Sequence, residues 1–390
     1  MRLAGAILIL VTACQSQPNP QTLDVALAPK VEADPGAAEP SAFGQPVGQA
    51  SKVSIPWQQF FKPPPLATER SELLKKIKPS KRTSEPKTLL EAARAQAALG
   101  QLAAAEVSYR QLLRLRPEDQ DGLLELAQLY LRMKQLDRCF ELLKEAHEAI
   151  TAAEASPRIF VFRYRYTLAL AHIARGERTE GQRILGDLIA IDREFVPGYA
   201  ALAASYLAME RYGVADFIVR RGLDQGGEDP ALCNLMGVLA EKKGNLAEAR
   251  RWLDKALEKN PSYAPALVNR AKLALDREEH EAAESDLIKA LQVAPAMVEV
   301  YALLGIVQKR TGRYDGARQS FAKAMEIDPE NGLARYNLAL LMTDQYREPS
   351  VALRLFHEVL QSRDENWRIK DLARAQIETM SGFAVDSKVQ

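Results

Sequence analysis

The sequence predicts an all-α protein built as a solenoid of helical hairpins, and three observations carry that reading. From Pro86 onward the chain matches itself at a spacing of 34 residues. Small residues return at the two places in each repeat where paired helices must cross. Proline and glycine return where a helix must stop and the chain must turn.

Composition sets the bounds. Of 390 residues, 47% are apolar and 26% are charged, which suits a folded, soluble body. Lys+Arg 52 against Asp+Glu 51 leaves a formal charge of +1, so charge gives no reason to expect nucleic acid or an acidic membrane as partner. The 3 Cys and 4 His are too scattered for a zinc cluster or a disulfide scaffold.

Met1-Arg2 supplies one positive charge, and Leu3 to Val11 is an unbroken apolar run. That run is too short to span a bilayer and suits the core of a secretory signal. It ends in Val11-Thr12-Ala13-Cys14, which resembles the lipobox of bacterial lipoproteins. The resemblance implies cleavage before Cys14 and acylation of its sulfur and its new amine. One acyl chain binds a membrane marginally, whereas two or more anchor firmly. Gln15 follows, where that family's inner-membrane retention signal has Asp, so the resemblance implies the outer membrane. Residues 1–13 are therefore expected to be the signal peptide. No later segment is apolar for long enough to span.

Residues 14–85 read as the lipidated Cys14 and a tether rich in Pro, Ala, Gln and Gly, without helical or strand period. Such a stretch buries too little apolar surface to offset its ordering entropy and is expected to be flexible. As a coil it averages ~45 Å end to end. Trp57, Phe60 and Phe61 precede a run of prolines, and Lys75 to Arg82 is basic. The aromatics read as a short docking motif or as a segment that folds back on the first repeat. The basic run reads as a solvated face or, less simply, as an anion-binding stretch.

Repeats begin at Pro86, Gln120, Phe162, Val196, Pro230, Ala264, Val298 and Gly332, spaced by 34 except for 42 between the second and third. Position 8 holds Ala93, Ala127, Ala169, Ala203, Gly237, Ala271, Gly305 and Ala339. Position 20 holds Ala105, Cys139, Gly181, Ala215, Ala249, Ala283, Ala317 and, after a one-residue slip, Ala352. Larger apolar groups, from Tyr109 and Leu143 to Phe321 and Phe356, fill position 24. Pro117, Pro261, Pro295 and Pro329 stop helices, and Gly100, Gly176, Gly244 and Gly312 mark turns within the hairpins. The pattern resembles tetratricopeptide repeats (TPR), and the resemblance implies a right-handed superhelix of about eight hairpins. Repeats 1–2 are expected over 86–153 and repeats 3–8 over 162–365. A solvating cap helix is expected over 366–380, and a disordered tail over 381–390. The extra residues 154–161 mark a joint between two repeats and six. Arg270 departs from the pattern, standing where position 7 is normally apolar.

No catalytic constellation is legible. There is no G-x-S-x-G, phosphate loop or H-E-x-x-H, and no metal site is expected. Cys139 and Cys233, three repeats apart, are too distant for a disulfide and read as buried thiols. His172 reads as a hydrogen-bonded core histidine. The chain is expected to be no enzyme, to bind no small-molecule substrate and no nucleic acid, and to carry no cofactor beyond the lipid on Cys14.

The resemblance implies instead a concave groove lined by positions 2, 5, 6, 9, 12 and 13 of each first helix. Tyr166, Leu170, Ile173, Ala200 and Leu207 make an apolar stretch in repeats 3 and 4. Asn234, Asn269, Lys272, Lys309, Arg310, Tyr336 and Asn337 make a polar and basic one in repeats 5 to 8, the basic groups expected to be exposed. The asparagines suit a peptide backbone and the cations suit carboxylates. The set by which chaperone-binding relatives clamp a C-terminal carboxylate is absent. Lipobox, tether and repeats together resemble outer-membrane TPR lipoproteins. The resemblance implies a non-catalytic scaffold facing the periplasm that holds a protein partner of an envelope complex, with a gliding-motility machine ahead of a type IV pilus pilotin or an adaptor for peptidoglycan enzymes.

Overall fold

The computed structural model describes residues 85–152, 158–362 and 367–386. Cys14, the signal at 1–13, the tether up to residue 84 and residues 387–390 lie outside the described residues. Seventeen α-helices and no strand occur among those described. The hairpins are α1 Pro86–Ala98 with α2 Leu102–Leu115, α3 Gln120–Arg132 with α4 Leu136–Ala152, and α5 Arg158–Ala174 with α6 Arg178–Ile191. Next come α7 Val196–Ala208 with α8 Tyr212–Gly226, and α9 Pro230–Lys242 with α10 Leu246–Lys259. They are followed by α11 Ala264–Asp276 with α12 His280–Val293, α13 Val298–Arg310 with α14 Tyr314–Ile327, and α15 Gly332–Asp344 with α16 Pro349–Gln361. A final helix, α17, covers Trp367–Asp386. The chain divides into two compact units between Ala266 and Leu267, inside α11.

All sixteen residues at positions 8 and 20 are buried, and so are all eight at position 24. Small side chains at 8 and 20 let the two helices of a hairpin approach, and the larger group at 24 fills the space beside the crossing. In the first unit α2, α4, α6 and α8 each pack on their own first helix and on the first helix of the next repeat. One apolar core runs from Ala93 to Leu239. It includes residues on both sides of 154–161, from Leu143 and Ala146 to Phe162 and Tyr166. Of the extra residues, 158–161 form the start of α5, which begins at Arg158, and 154–157 lie outside the described residues.

Each hairpin turns on one left-handed residue at position 15. Four are glycines, Gly100, Gly176, Gly244 and Gly312, and four are Lys134, Glu210, Glu278 and, after the slip, Arg347. The turn therefore survives without glycine at the cost of mild backbone strain, about 1 kcal/mol or slightly more. Asp119, Asp229, Asn245 and Asn331 cap helix starts by accepting from the backbone N–H of Gly122, Ala231, Glu248 and Ala334. The last helix runs six residues past its expected end at 380, to Asp386. No proline stops it, and a single glycine such as Gly382 costs a helix only ~1 kcal/mol.

In the second unit Arg270 has a partner that explains its departure from the repeat pattern. Its guanidinium forks onto buried Asp286, Nε to Oδ2 at 2.7 Å and Nη2 to Oδ1 at 2.8 Å. A charge replaces an apolar contact because a carboxylate faces it.

Candidate partner-binding surface

The first helices carry a ladder of contacts from one repeat to the next. Arg94 of α1 donates through Nε to Glu125 Oε2 at 2.9 Å and through Nη2 to Glu125 Oε1 at 2.8 Å. The same Nη2 reaches Asp121 Oδ2 at 2.9 Å. Arg163 of α5 donates to Asp121 Oδ1 at 2.6 Å, and Tyr109 OH donates to Glu125 Oε2 at 3.0 Å. Gln128 Nε2 donates to Thr167 Oγ1 at 3.0 Å. Arg94 and Gln128 occupy position 9 of one repeat, while Asp121, Glu125, Arg163 and Thr167 occupy positions 2 and 6 of the next. Burial pushes the Glu125 carboxyl up to about 7, with Arg94 and Arg163 opposing that rise and Asp121 adding to it. A buried ion cluster contributes little net stability, but a shifted register would strand its charges, so it pins repeats 1 to 3 in register. Sequence reading missed it; the available signal was the alternation of charge at positions 9 and 2 of successive repeats.

Most of the groove residues expected from the sequence are interior. Tyr166, Leu170, Ile173, Leu207, Asn234, Asn269, Tyr336 and Asn337 are all buried, as is Ala200. Tyr166 OH donates to the Pro197 carbonyl at 3.4 Å, and its ring meets Phe195 edge-on at 5.3 Å. Asn337 Nδ2 donates to the Leu333 carbonyl at 2.9 Å, and the Tyr336 ring lies 5.6 Å from Phe356. These side chains are occupied in packing and offer almost no surface to a partner. Of the three cations expected to be exposed, Arg310 is, whereas Lys272 and Lys309 are half-buried. Lys272 is ion-paired with Glu299 of the following repeat and only 20% exposed. Lys309 lies 3.8 Å from Asp344, and Arg310 donates to the Leu275 carbonyl at 3.0 Å. They staple neighbouring first helices as Arg94 does in the first unit, although Arg310 remains exposed.

The first helices α13 and α15 of the second unit are less completely buried than α3, α7 and α9 of the first. Ile306 at position 9, Leu333 at position 2 and Leu340 at position 9 are half-buried apolar groups beside Lys309 and Arg310. On α13 no more than two consecutive residues are buried, whereas in α3 ten in a row are, Gly122 to Leu131. A cleft of about 350 Å³ in the first unit has Leu113, Leu126 and Leu142 among its lining residues. Tyr130 in its wall is already held by Arg110, Glu106 and Arg138.

Cys139 and Cys233 are free and buried. His172 is hydrogen-bonded, Nδ1 to Glu177 Oε2 at 2.5 Å, at a half-buried site rather than in the core. Among the described residues no cluster of His, Cys, Asp and Glu is placed to hold a metal ion, and no helix is long and apolar enough to cross a membrane.

The described residues thus form a helical-hairpin repeat protein. Tetratricopeptide-repeat family models match residues 86–119, 230–263 and 268–332, and the fold is an all-α array of tetratricopeptide repeats. Anaphase-promoting complex subunit 3 of Schizosaccharomyces pombe is 24% identical over 195 residues, 50% of this chain and 29% of that protein. Human protein O-mannosyl-transferase TMTC1 is 26% identical over 243 residues, 62% of this chain and 23% of that one. The chain therefore spans less than a third of either relative. In the crystal structure of the APC/C hetero-tetramer Cut9-Hcn1, a chain superposes with a TM-score of 0.55 at 13% identity, covering 79% of this chain and 58% of that one. At that identity the likeness is one of fold.

Proposed function

We propose that the chain is a non-catalytic scaffold whose first-helix face at repeats 7 and 8 holds a protein partner. The observation that carries this reading is that Ile306, Leu333 and Leu340, at positions 9, 2 and 9 of α13 and α15, are only half-buried, on helices of which α13 also carries Lys309 and exposed Arg310. An apolar centre with a charged rim is the anatomy of a protein interface, and its helical spacing suits an amphipathic helix bearing carboxylates. Relatives named for multi-subunit assemblies support a scaffold. A relative named as a transferase supports no activity here, since this chain matches only 23% of it.

We further propose an outer-membrane anchor through lipid on Cys14, with the repeats in the periplasm and a gliding-motility complex as the machine served. Val11-Thr12-Ala13-Cys14 with Gln15 supports the anchor, and the plan of lipobox, tether and repeats supports the machine. Fatty-acid labelling and fractionation test the first: Cys14→Ser should lose label and leave the membrane, and an unlabelled, soluble wild type would refute it. Deleting the gene tests the second. Loss of gliding with intact type IV pili supports it, whereas loss of secretin assembly would move the chain to the pilotins, and altered peptidoglycan alone to the adaptors.

A further inference from the structure

The first helices of repeats 2, 4 and 5 are buried on every side. Gly122 to Leu131 in α3, Val196 to Ser205 in α7 and Leu232 to Ala240 in α9 are unbroken buried runs. Nine or more consecutive residues go around a helix two and a half times, so no side of these helices meets water. In α5 between them, Tyr166, Leu170 and Ile173 at positions 5, 9 and 12 are buried as well. Helix α7 packs against four described helices, its own partner α8, the preceding α6, and the flanking first helices α5 and α9. The paired second helices lie on one side and the flanking helices to left and right. Positions 5, 9 and 12 turn to the remaining side, where Ala200, Ala204 and Leu207 are at most 5% exposed. A helix that is apolar all round requires apolar cover all round.

We propose that the cover is the chain's own segment around Trp57, Phe60 and Phe61, lying in cis along the first-helix face of repeats 2 to 5. These three aromatics stand at i, i+3 and i+4 between Pro56 and Pro63. That is the anchor spacing of a helix lying in a groove, and each ring buries ~150–250 Å². The described chain starts at Glu85, at the first repeat, so the segment enters from the same end of the array. About 24 residues separate Phe61 from Glu85. They reach ~80 Å fully extended and ~27 Å as a coil. Three repeats along, at ~8–10 Å between packed axes, lies α7. The reach matches the span. The segment thereby keeps the buried first-helix face of repeats 2 to 5 from other proteins, whether or not a partner binds at repeats 7 and 8.

The test uses the full chain with a benzophenone amino acid in place of Phe60. After irradiation, the adducts are mapped by mass spectrometry in a mixture of isotopically heavy and light protein. The expected result is a same-isotope adduct within α5, α7 or α9, near Leu170, Ala204, Leu207 or Val238. Adducts joining heavy to light chains would assign the groove to a second copy. Adducts to α1 and α2, or to other proteins, or none, would each overturn the proposal. A second measurement uses no cross-linker. Trp57→Ala, Phe60→Ala and Phe61→Ala together should speed amide exchange in α5 and α7 by about tenfold, while α13 and α15 exchange unchanged. Unaltered exchange in α5 and α7 would contradict it.

Discussion

Replacing Gly181 and Gly186 by alanine, one at a time, separates helix crossing from helix propensity within a single element. Both lie in α6, and either replacement gains about 0.8–1 kcal/mol of helix propensity. At Gly186 an added Cβ meets nothing within 4 Å, so that gain is the whole effect. At Gly181, position 20, the Cβ lands 2.5 Å from Ile173 Cγ1 and 2.6 Å from the Ala169 carbonyl oxygen. The oxygen belongs to the backbone of α5 at position 8. Relief therefore requires moving one helix away from the other, not turning a rotamer. Overpacking of this kind costs about 1–3 kcal/mol, which outweighs or cancels the propensity gain. Gly186→Ala should raise the urea midpoint and Gly181→Ala should lower it or leave it unmoved, a separation of about 1–3 kcal/mol. Far-ultraviolet circular dichroism through a urea titration measures both on the same transition. Equal stabilisation by the two variants would refute the claim that positions 8 and 20 are small because the helices touch there.

Three further outcomes follow from the same contacts. The folded Glu125 carboxyl, pushed up to about 7 from an ordinary 4.5, holds its proton more tightly than in the unfolded chain, so its contribution falls as pH rises from about 4.5 to about 7. Relative to Glu125→Gln, wild-type stability should decline by about 2–3 kcal/mol across that window in urea melts, and a pH-independent difference would count against it. Arg270→Leu should destabilise by about 3–5 kcal/mol because it strands buried Asp286, while Arg270→Leu with Asp286→Leu should recover most of the loss; equal losses would deny the pair its role. Burial pushes the Cys139 thiol up to about 12 and the Cys233 thiol up to about 11, so a disulfide reagent at mildly alkaline pH should label neither in native Cys14→Ser protein and both after unfolding; rapid native labelling would contradict their burial.

The fold was legible because its determinants are local and periodic. Ala169 and Gly181 sit twelve residues apart in one hairpin, and the requirement that both be small is visible in the chain itself. The surface was not, because exposure of a first-helix side chain depends on elements far away in sequence. Leu170 and Leu207 satisfy the groove spacing, yet neighbouring first helices and whatever lies across them take away their solvent. Lys272 reads as a free cation until Glu299, one repeat on, is seen to hold it. Arg270, conversely, reads as a defect in the pattern, although a carboxylate sixteen residues later makes it a fit. Hydrophobic period reports which side faces the paired helix, but not which of the remaining sides is covered.

A partner seated on the first-helix face of repeats 7 and 8 is what would make the chain a scaffold. Site-specific photocross-linking in cells tests it most directly, with the photoreactive residue at Ile306 or Leu340 and, as control, at Gln319 on the exposed second helix. The expected result is a discrete adduct with one protein from Ile306 and from Leu340, none from Gln319, and loss of that adduct when Lys309 and Arg310 are both replaced by serine. No adduct from Ile306 and Leu340, or equal capture of the same protein from Gln319, would contradict it.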